Sequence, residues 1–321
     1  MKEMSKVKIF QKKSISSIID EMILLSNLKH PLISNLYYAY QDNENLYLIM
    51  DYLSGGDLRY HLINKHKFNE ESIKFIISNI ILILEYLNDN NIIHRDLKLE
   101  NLIFDNKGYI NLIDFGIAIE NNPSYEIKKI KGTPFYIAPE LINKNSFDFS
   151  IDYFALGVIT YELIFNKKPF IGKNKKEIIY QILYKDINLN ENDLPIEFKG
   201  NFLICDFINK LLKKIPYSRL GGLNGINEIK KHPWLCECKW DKILNKEIVS
   251  PCLNYINGEN CNYYKNKKND NFKCDNYNDI LEKINNDKIF KDFFYNYFEH
   301  NYQFSNENLN ITKSCKKKMK I

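Results

Sequence analysis

Two short polar stretches, IIHRDLKLEN and DFG, constrain this chain more than any other part of its sequence. The first carries Asp96, Lys98 and Asn101, and the second begins at Asp114. Phosphoryl transfer needs carboxylate or amide oxygens that hold Mg²⁺ on the nucleotide, and a further carboxylate that orients the attacking hydroxyl. These residue types in this order match a known phosphoryl-transfer signature, in which Asp96 takes the place of the base and Asn101 and Asp114 the places of the metal ligands. Lys98 adds a positive charge where the transferred phosphoryl group needs stabilising.

The composition indicates a globular chain with a substantial apolar core. Its 321 residues are 45% hydrophobic, which suffices for one large or two modest domains. The longest apolar run, residues 75–87, is too short to span a bilayer. The net charge of +5 is mild and comes partly from KSCKKKMKI at the C-terminus. The preferred interpretation of that stretch is a solvated tail, and the alternative is weak contact with a membrane surface. Nucleic acid is not expected as a partner.

Seven cysteines without a CxxC pair favour reduced thiols over a disulfide framework, which predicts a cytoplasmic protein. Five of them crowd between residues 236 and 274, so zinc is the alternative use. No CxxC or HxxxH spacing supports zinc, and reduced thiols are the preferred interpretation.

Hydrophobic periodicity divides the chain into a small α+β region and a mainly helical region. In the first, apolar residues at helical spacing over 15–25 predict a helix, and SNLYYAYQD and NLYLIMDYL predict two strands. In the second, LIFDNKGYINLI predicts a hairpin that turns at 106–108. Helices are predicted there over 69–88, 151–165 and 203–212. Residues 241–285 are rich in Asn, Lys and Tyr, and we expect them to form an extended tail, much of it bound to the protein surface or disordered.

Further motifs follow in the order GTPFYIAPE, DYFALG and IPYSRL. Together with IIHRDLKLEN and DFG, they make the sequence resemble the protein-kinase superfamily over nearly its whole length. The resemblance implies a bilobal α+β kinase fold with a truncated N-lobe sheet at 1–53, a mainly helical C-lobe at 54–240 and a C-terminal tail at 241–321. It also implies an ion pair between Glu140 and Arg219 that braces the substrate-binding floor.

Within that superfamily, GGDLRYHL, IIHRDLK and HPWLCECKWDKILNKEIVSP resemble the AGC group, and most of all its YANK (serine/threonine kinase 32) branch. Lys98 after HRDL favours serine or threonine over tyrosine as the phosphate acceptor, and Thr133 supports the same interpretation. The resemblance implies a serine/threonine-protein kinase that uses ATP and Mg²⁺, phosphorylates protein substrates and is a monomer.

The same resemblance makes LIMDYLSGGDL the hinge that binds the nucleotide base. It implies that Met50 lies beside the adenine pocket and that Asp51 and Leu53 offer backbone hydrogen bonds to adenine. Asp57 is expected to reach the ribose, and Ile103 is expected among the residues that bind the nucleotide. By composition alone, the stretch is equally consistent with a strand end and a glycine turn.

A kinase also needs a lysine that holds the α- and β-phosphates and a helix glutamate that positions this lysine. Glu21 in IIDEMILL is the helix candidate, and Lys2 precedes it at the interval that AGC kinases use. The alternative takes Lys6 or Lys8 as the functional lysine and Lys2 as a disordered terminal residue. With Lys2 on the third strand, we expect two strands and the Gly-rich loop to precede Met1 in the authentic protein.

Two other functions remain open at this point. A missing Gly-rich loop favours a pseudokinase, a scaffold that keeps the fold without efficient catalysis, whereas the intact Asn101 and Asp114 argue against it. A small-molecule phosphotransferase of kinase-like fold is disfavoured by the APE segment, which shapes a peptide-binding floor in protein kinases. The serine/threonine-protein kinase is therefore the preferred interpretation.

The activation loop departs from the AGC pattern at Lys129, which stands where a phosphorylated threonine is usual. Arg95 therefore lacks its expected phosphate partner, and a lysine adds repulsion instead. We expect Glu126 to neutralise Lys129, so that activation does not need phosphate at this position. Phosphorylation at Ser124 or Tyr125 is the alternative.

Residues 290–295, FKDFFY, resemble the AGC hydrophobic motif. Phe294 stands in this motif where a phosphorylatable serine or threonine is usual. The preferred interpretation is an amphipathic helix that packs on its own core, with docking of the motif as the alternative.

Overall fold

The computed structural model describes residues 1–64, 67–122, 131–256 and 276–297. Two compact units divide these residues between them. The sheet unit comprises residues 1–28, 35–52 and 276–297. The helical unit comprises residues 29–34 and the described part of 53–256.

The predicted N-lobe at 1–53 differs from the sheet unit because residues 29–34 belong to the helical unit. Backbone hydrogen bonds explain this division. The Leu112 N–H donates to the Leu32 carbonyl at 2.9 Å, and the Ser34 N–H donates to the Leu112 carbonyl at 3.0 Å. Residues 29–34 thus bond to a hairpin of the helical unit.

The described residues form eight strands and eleven helices, some of a single turn. The strands are β1 (Lys2–Ser5), β2 (Leu36–Gln41), β3 (Asn45–Met50), β4 (Ile92–Ile93), β5 (Leu102–Phe104), β6 (Ile110–Leu112), β7 (Ile119–Glu120) and β8 (Tyr295–Asn296). The helices are α1 (Lys6–Gln11), α2 (Ile15–Asn27), α3 (Leu58–Ile63), α4 (Glu70–Asp89), α5 (Pro139–Ile142), α6 (Ser150–Phe165), α7 (Lys175–Tyr184), α8 (Phe202–Leu211), α9 (Ile226–Lys230), α10 (Trp240–Leu244) and α11 (Tyr277–Asn286). The structure confirms the helices predicted over 15–25, 69–88, 151–165 and 203–212, the two predicted strands and the predicted hairpin.

An antiparallel sheet in the order β1-β3-β2-β8 forms the centre of the sheet unit. Leu46 and Leu48 on β3 are fully buried, and they alternate with less buried residues as a sheet with one covered face requires. Helix α2 packs against β2 and buries Met22 and Leu25, three residues apart on one helical face. The apolar period of each element thus fixes which side faces the core.

The C-terminal segment completes this sheet, which the preferred helix interpretation of residues 290–295 did not anticipate. Phe290 and Phe293 are buried, and the Gln41 side-chain amide donates to the Phe290 carbonyl at 2.5 Å. Tyr295 then pairs with Ala39 as part of β8. The helix interpretation is therefore wrong, because the two phenylalanines enter the core of the sheet unit from the turn and irregular chain that precede β8.

The described part of 241–285 contains helices that the extended-tail prediction did not include, whereas the buried Ser250 and Cys252 agree with its expectation of a surface-bound tail. Helices α10 and α11 lie within or beside it. Helix α11 contacts α1 and buries Ile284, which gives this polar helix an apolar anchor. A composition rich in asparagine lowers helix propensity but does not override such tertiary contacts.

Helix α6 forms the centre of the helical unit, and all but one of its residues are buried. It packs against α4 and α8. Gly157 allows the close approach of α8, because a Cβ atom at this position lies only 2.8 Å from the Leu211 Cβ. Helix α4 begins at an Asn69 cap whose side chain accepts the Ser72 N–H at 2.8 Å.

A buried ion pair joins α5 to the segment that follows α8. The Arg219 guanidinium donates to both Glu140 carboxylate oxygens, at 2.7 and 3.0 Å, and to the Ser150 carbonyl at 2.7 Å. This fork geometry satisfies two charges that are costly to bury apart. The Glu140–Arg219 pair predicted from the resemblance is confirmed.

The described cysteines, Cys205, Cys236, Cys238 and Cys252, are free thiols. Within the same described ranges, no cluster of three or more Cys, His, Asp or Glu has the geometry of a metal site. Nor does any described helix combine the length and the apolar character that crossing a membrane requires.

Candidate active site

The loop that carries HRDLKLEN is anchored by a buried carboxylate, that of Asp152 in the first turn of α6. The backbone N–H groups of His94 and Arg95 donate to its two oxygens at 2.8 and 3.0 Å. Burial raises the pKa of Asp152, and these hydrogen bonds oppose that rise. Arg95 has a φ of 67°, a left-handed conformation that a side chain disfavours. The anchored carboxylate therefore holds this loop in a strained turn.

The His94 ring joins the two motifs. Its Nδ1 atom accepts a hydrogen bond from the Asp96 N–H at 3.3 Å, and its Nε2 atom lies 2.9 Å from the Asp114 carbonyl oxygen. An imidazole with its proton on Nε2 satisfies both contacts, since a carbonyl oxygen only accepts. The Phe115 ring meets the imidazole edge-on at 5.2 Å. His94 thus ties the backbone at Asp96 to the backbone at Asp114.

The carboxylate of Asp96 lies between Thr133 and Lys98. Its Oδ1 atom accepts hydrogen bonds from the Thr133 N–H at 3.0 Å and from the Thr133 hydroxyl at 2.8 Å. Its Oδ2 atom pairs with Lys98 Nζ, which also donates to the Thr133 hydroxyl at 3.2 Å. Asp96 and Lys98 keep a small exposed fraction, so a ligand can approach both.

Asn101 and Asp114 are brought together by the β5–β6 hairpin. Asn101 directly precedes β5, and the Ile113 N–H after β6 donates to the Asn101 carbonyl at 3.0 Å. The Asn101 side-chain N–H donates to the Asp96 carbonyl at 2.9 Å, which leaves its Oδ1 as an oxygen ligand. Asp114 accepts the Gly116 N–H at 3.3 Å through one carboxylate oxygen. An amide oxygen beside a carboxylate is a donor set that suits Mg²⁺.

The sheet unit brings together the predicted lysine and glutamate. Lys2 Nζ on β1 donates to Glu21 Oε1 on α2 at 2.6 Å, and the Glu21 side chain is only 1% exposed. Lys6, one of the alternatives, instead donates to the Asp42 carbonyl at 2.6 Å and to Asn285 at 3.3 Å. Lys8, the other alternative, lies on α1.

The predicted hinge begins at the end of β3 with Met50. The Asp51 N–H donates to the Asn35 carbonyl at 3.1 Å, and the Asp51 carboxylate accepts the Tyr37 hydroxyl at 2.7 Å. That carboxylate raises the pKa of Tyr37 to about 12. The Asp51 amide is therefore already used within the sheet unit. Leu53 is half-buried at the start of the next segment of the helical unit.

Asp57 is buried and caps α3, where its carboxylate accepts the Tyr60 N–H at 2.7 Å. It also forms an isolated bridge with Ile103 on β5, which is buried as well. The helix-capping role was not predicted from the sequence. Contact with a ribose stays a prediction.

Two contributors to this site escaped the sequence analysis as site residues: His94 and Asp152. A signal for Asp152 exists in the sequence, because an aspartate in the first turn of an otherwise apolar helix needs partners for its charge. The ring of His94 carries no such signal, since its role depends on contacts between distant segments. The activation-loop residues Ser124, Tyr125, Glu126 and Lys129 lie outside the described residues.

Two aspartates, a lysine and an asparagine in this arrangement have the residue types of a phosphotransferase site of the protein-kinase type. The chain belongs to the protein kinase family, because the family model described as the protein kinase domain matches residues 1–235. The match includes Lys2, Asp96 and Asp114.

Curated relatives show the same similarity. The chain is 37% identical over 256 residues to serine/threonine-protein kinase sgk-1 of Caenorhabditis elegans, a stretch that covers 79% of this chain and 54% of the relative. It is 38% identical over 252 residues to a probable serine/threonine-protein kinase of Dictyostelium discoideum, covering 78% and 54%. It is 35% identical over 262 residues to serine/threonine-protein kinase Sgk1 of Homo sapiens, covering 81% and 59%. The chain thus spans little more than half the length of these relatives.

Proposed function

We propose that this chain is the catalytic domain of a serine/threonine-protein kinase that transfers the γ-phosphate of ATP to serine or threonine hydroxyls of proteins. The observation that carries the proposal is the Asp96 carboxylate, held by two hydrogen bonds from Thr133 and paired with Lys98. A carboxylate oriented in this way can accept the proton of an attacking hydroxyl.

Lys98 and Thr133 have separate tasks in this mechanism. The Lys98 ammonium lies beside Asp96, where it stabilises the negative charge of the phosphoryl group in the transition state. Thr133 fixes one Asp96 oxygen, so that the other faces the acceptor hydroxyl and Lys98. The anchoring of the loop by Asp152 keeps this geometry in place before substrate binds, which lowers the cost of reorganisation.

Asn101 and Asp114 would hold Mg²⁺, and the metal would neutralise charge on the phosphates of ATP. The Asn101 Oδ1 atom is directed for this task because the amide nitrogen is bound to the Asp96 carbonyl. We propose that Lys2, positioned by Glu21, holds the phosphates. Met50, the Asp51 carbonyl, Leu53, Asp57 and Ile103 then bind the base and the ribose.

Finer assignments follow from the sequence motifs. We place the chain in the AGC group and in its YANK branch, on the stretches GGDLRYHL, IIHRDLK and HPWLCECKWDKILNKEIVSP. Free thiols at the described cysteines support a reducing compartment such as the cytoplasm. The expected partners are protein substrates, and a monomer with weak membrane-surface contact through the basic C-terminus remains our proposal.

The direct test incubates the purified protein, including the N-terminal segment that is expected to precede Met1, with Mg²⁺, γ-labelled ATP and a serine- and threonine-rich protein, followed by phosphoamino-acid analysis. We expect phosphoserine or phosphothreonine, its loss on chelation of Mg²⁺ and its loss in Asp114→Asn. Asp89→Asn, an exposed aspartate at the end of α4, is the matched control and should keep full activity. ATP binding without transfer would instead support the pseudokinase scaffold.

A further inference from the structure

Helix α7 and the loop before it expose large apolar side chains to solvent. Ile171 in the loop is 64% exposed, and Tyr180 and Tyr184 on the helix are 63% and 68% exposed. The two tyrosine rings contact each other, with their centroids 4.9 Å apart. Exposed apolar residues that occur singly are ordinary, whereas contiguous ones mark interaction surfaces. The paired tyrosines are therefore a candidate contact surface.

These tyrosines lie on the side of α7 that faces away from the core of the helical unit. Ile178 and Ile182, four residues apart, are the buried residues of this helix. Lys176, Tyr180 and Tyr184 are also spaced four residues apart, and they form a second, exposed stripe. At a rise of 1.5 Å per residue, this stripe is about 12 Å long. Packing in the core thus explains one face of α7 and leaves the other unexplained.

The loop before α7 adjoins the exposed stripe. A Cβ atom at Gly172 would lie only 2.6 Å from the Glu177 Cβ, so the loop and the first helical turn are in close contact. Glu177 is three residues before Tyr180, which makes the two neighbours on the helix surface. Ile171 and Lys173, on either side of Gly172, therefore border the stripe.

Three lysines give this region a positive charge. Lys173, Lys175 and Lys176 are exposed, and their ammonium groups make no hydrogen bond or ion pair with the part of the chain that the structure describes. The Glu177 carboxylate accepts the Lys173 backbone N–H at 2.7 Å and the Asn174 side-chain N–H at 2.9 Å, so both of its oxygens serve the start of the helix. Three cations thus face solvent beside a single carboxylate. We call the following residues the basic-aromatic surface: Ile171, Lys173, Lys175, Lys176, Tyr180 and Tyr184.

The residue types of the basic-aromatic surface fit an anionic lipid bilayer better than a protein partner. Lysine is depleted at the core of protein–protein interfaces, whereas anionic membranes attract lysine clusters. A tyrosine ring sits well at the level of the lipid headgroups, with its hydroxyl group in water. The lysine stems can lie along apolar surface while their ammonium groups reach the headgroup phosphates. Exposed apolar side chains among unpaired lysines therefore complement both the charge and the apolar interior of such a bilayer.

We propose that the basic-aromatic surface binds the anionic face of a lipid bilayer. The three lysines contact lipid headgroups, and Ile171, Tyr180 and Tyr184 insert between them. Membrane binding of this kind needs neither ATP nor phosphoryl transfer. The inference therefore goes beyond the proposed function and does not depend on it.

Vesicle co-sedimentation tests the proposal with the full chain. Vesicles of phosphatidylcholine alone are compared with vesicles in which a third of the lipid is phosphatidylserine. We expect the chain to bind the anionic vesicles at least about tenfold more tightly, and the difference should shrink as the salt concentration rises.

Two variants separate the two parts of the surface. Lys173→Gln/Lys175→Gln/Lys176→Gln should weaken binding to the anionic vesicles by about tenfold or more, because each lysine near such a surface contributes on the order of fivefold. Tyr180→Ser/Tyr184→Ser keeps every charge and should also weaken binding by about tenfold, because it removes apolar area that inserts among the headgroups.

Lys107→Gln/Lys239→Gln/Lys242→Gln is the matched control. It makes the same change in net charge at exposed lysines of other segments, and it should bind the anionic vesicles like the parent. All of these proteins retain the basic C-terminal stretch, so its contribution cancels from the comparison. Thermal denaturation checks their folding, and the single substitutions replace any multiple variant that is less stable than the parent.

Equal binding to the two kinds of vesicle overturns the proposal. So does an equal loss in the control variant, which would assign binding to net charge alone, or unchanged binding in the tyrosine variant, which would exclude insertion. A soluble polyglutamate peptide that binds the chain as tightly as the anionic vesicles do would identify an acidic protein partner instead. Absence of kinase activity in any of these proteins counts against the proposed function and leaves the vesicle result unaffected.

Discussion

The Asp96 side chain is the residue on which the proposed chemistry depends most directly, because Thr133 and Lys98 fix both of its oxygens. Asp96→Asn keeps the shape of the side chain but cannot take a proton. We expect kcat to fall by about 10²- to 10⁴-fold with the affinity for ATP nearly unchanged. Steady-state kinetics and nucleotide titration measure the two quantities. A variant with kcat within a factor of two of the parent would remove Asp96 from the mechanism.

Thr133 gives a finer test of how the base is positioned. Thr133→Val keeps the backbone N–H bond to Asp96 but removes the hydroxyl that contacts Asp96 and Lys98. The loss of oriented hydrogen bonds, each of about 1 kcal/mol, should lower kcat by roughly tenfold with little change in KM. Thr133→Ser restores the hydroxyl and should restore most of kcat. Equal activity in the two variants would contradict the positioning role.

The burial of the Lys214 amino group should make the stability of the helical unit depend on pH. Its Nζ donates to the Ile182 carbonyl at 2.7 Å, and burial lowers its pKa to about 8. Between about pH 8 and the ordinary lysine pKa, Lys214 is therefore deprotonated in the folded state but still protonated in the unfolded chain. Stability should therefore rise with pH in that window, by at most about 1.4 kcal/mol per pH unit.

Chemical denaturation at several pH values measures this dependence. Lys214→Met removes the titrating group and should flatten the curve between pH 8 and 10. Lys176→Met, an exposed lysine on α7, is the control and should keep the rise. A rise of the same size in Lys214→Met would assign it to other groups.

At the scale of elements, the crossing of α6 and α8 depends on Gly157. A methyl group at this position lies 2.8 Å from the Leu211 Cβ, which is closer than two carbon atoms tolerate. Gly157→Ala must separate the two helices or distort a side chain, and we expect a loss of about 1–3 kcal/mol in the free energy of unfolding. The higher helix propensity of alanine offsets only part of this loss. Thermal denaturation that shows a more stable variant would refute the close-approach argument.

The docked C-terminal segment gives a matched pair of variants. Phe293 is buried in the sheet unit, whereas the neighbouring Phe294 is 64% exposed. Phe293→Ala should therefore destabilise the sheet unit by about 3–5 kcal/mol, and Phe294→Ala should change stability by less than about 0.5 kcal/mol. Hydrogen exchange at β2 reports the local loss. Similar protection in both variants would mean that the segment does not support the sheet.

At the scale of the whole molecule, the sequence predicts secondary structure best where a single local pattern of residues determines it. The apolar period of α4 and α6 and the turn at Gly108 are local, and the structure contains each of them. Periodicity failed at residues 290–295, because burial of Phe290 and Phe293 depends on a sheet formed by residues far away in the chain. The capping role of Asp57 and the ring contacts of His94 were not predicted from the sequence for the same reason.

The pairing of β8 with β2 has a consequence for how the protein is made. Tyr295 and Asn296 complete a sheet whose other strands end at Met50, so more than half of the chain separates the two partners. A ribosome adds about 5–20 residues per second, so the first three strands wait on the order of ten seconds or more for the fourth. The whole helical unit leaves the exit tunnel during that interval. Until β8 arrives, the outer edge of β2 is open to other nascent chains, so a chaperone that covers this edge would protect the growing protein.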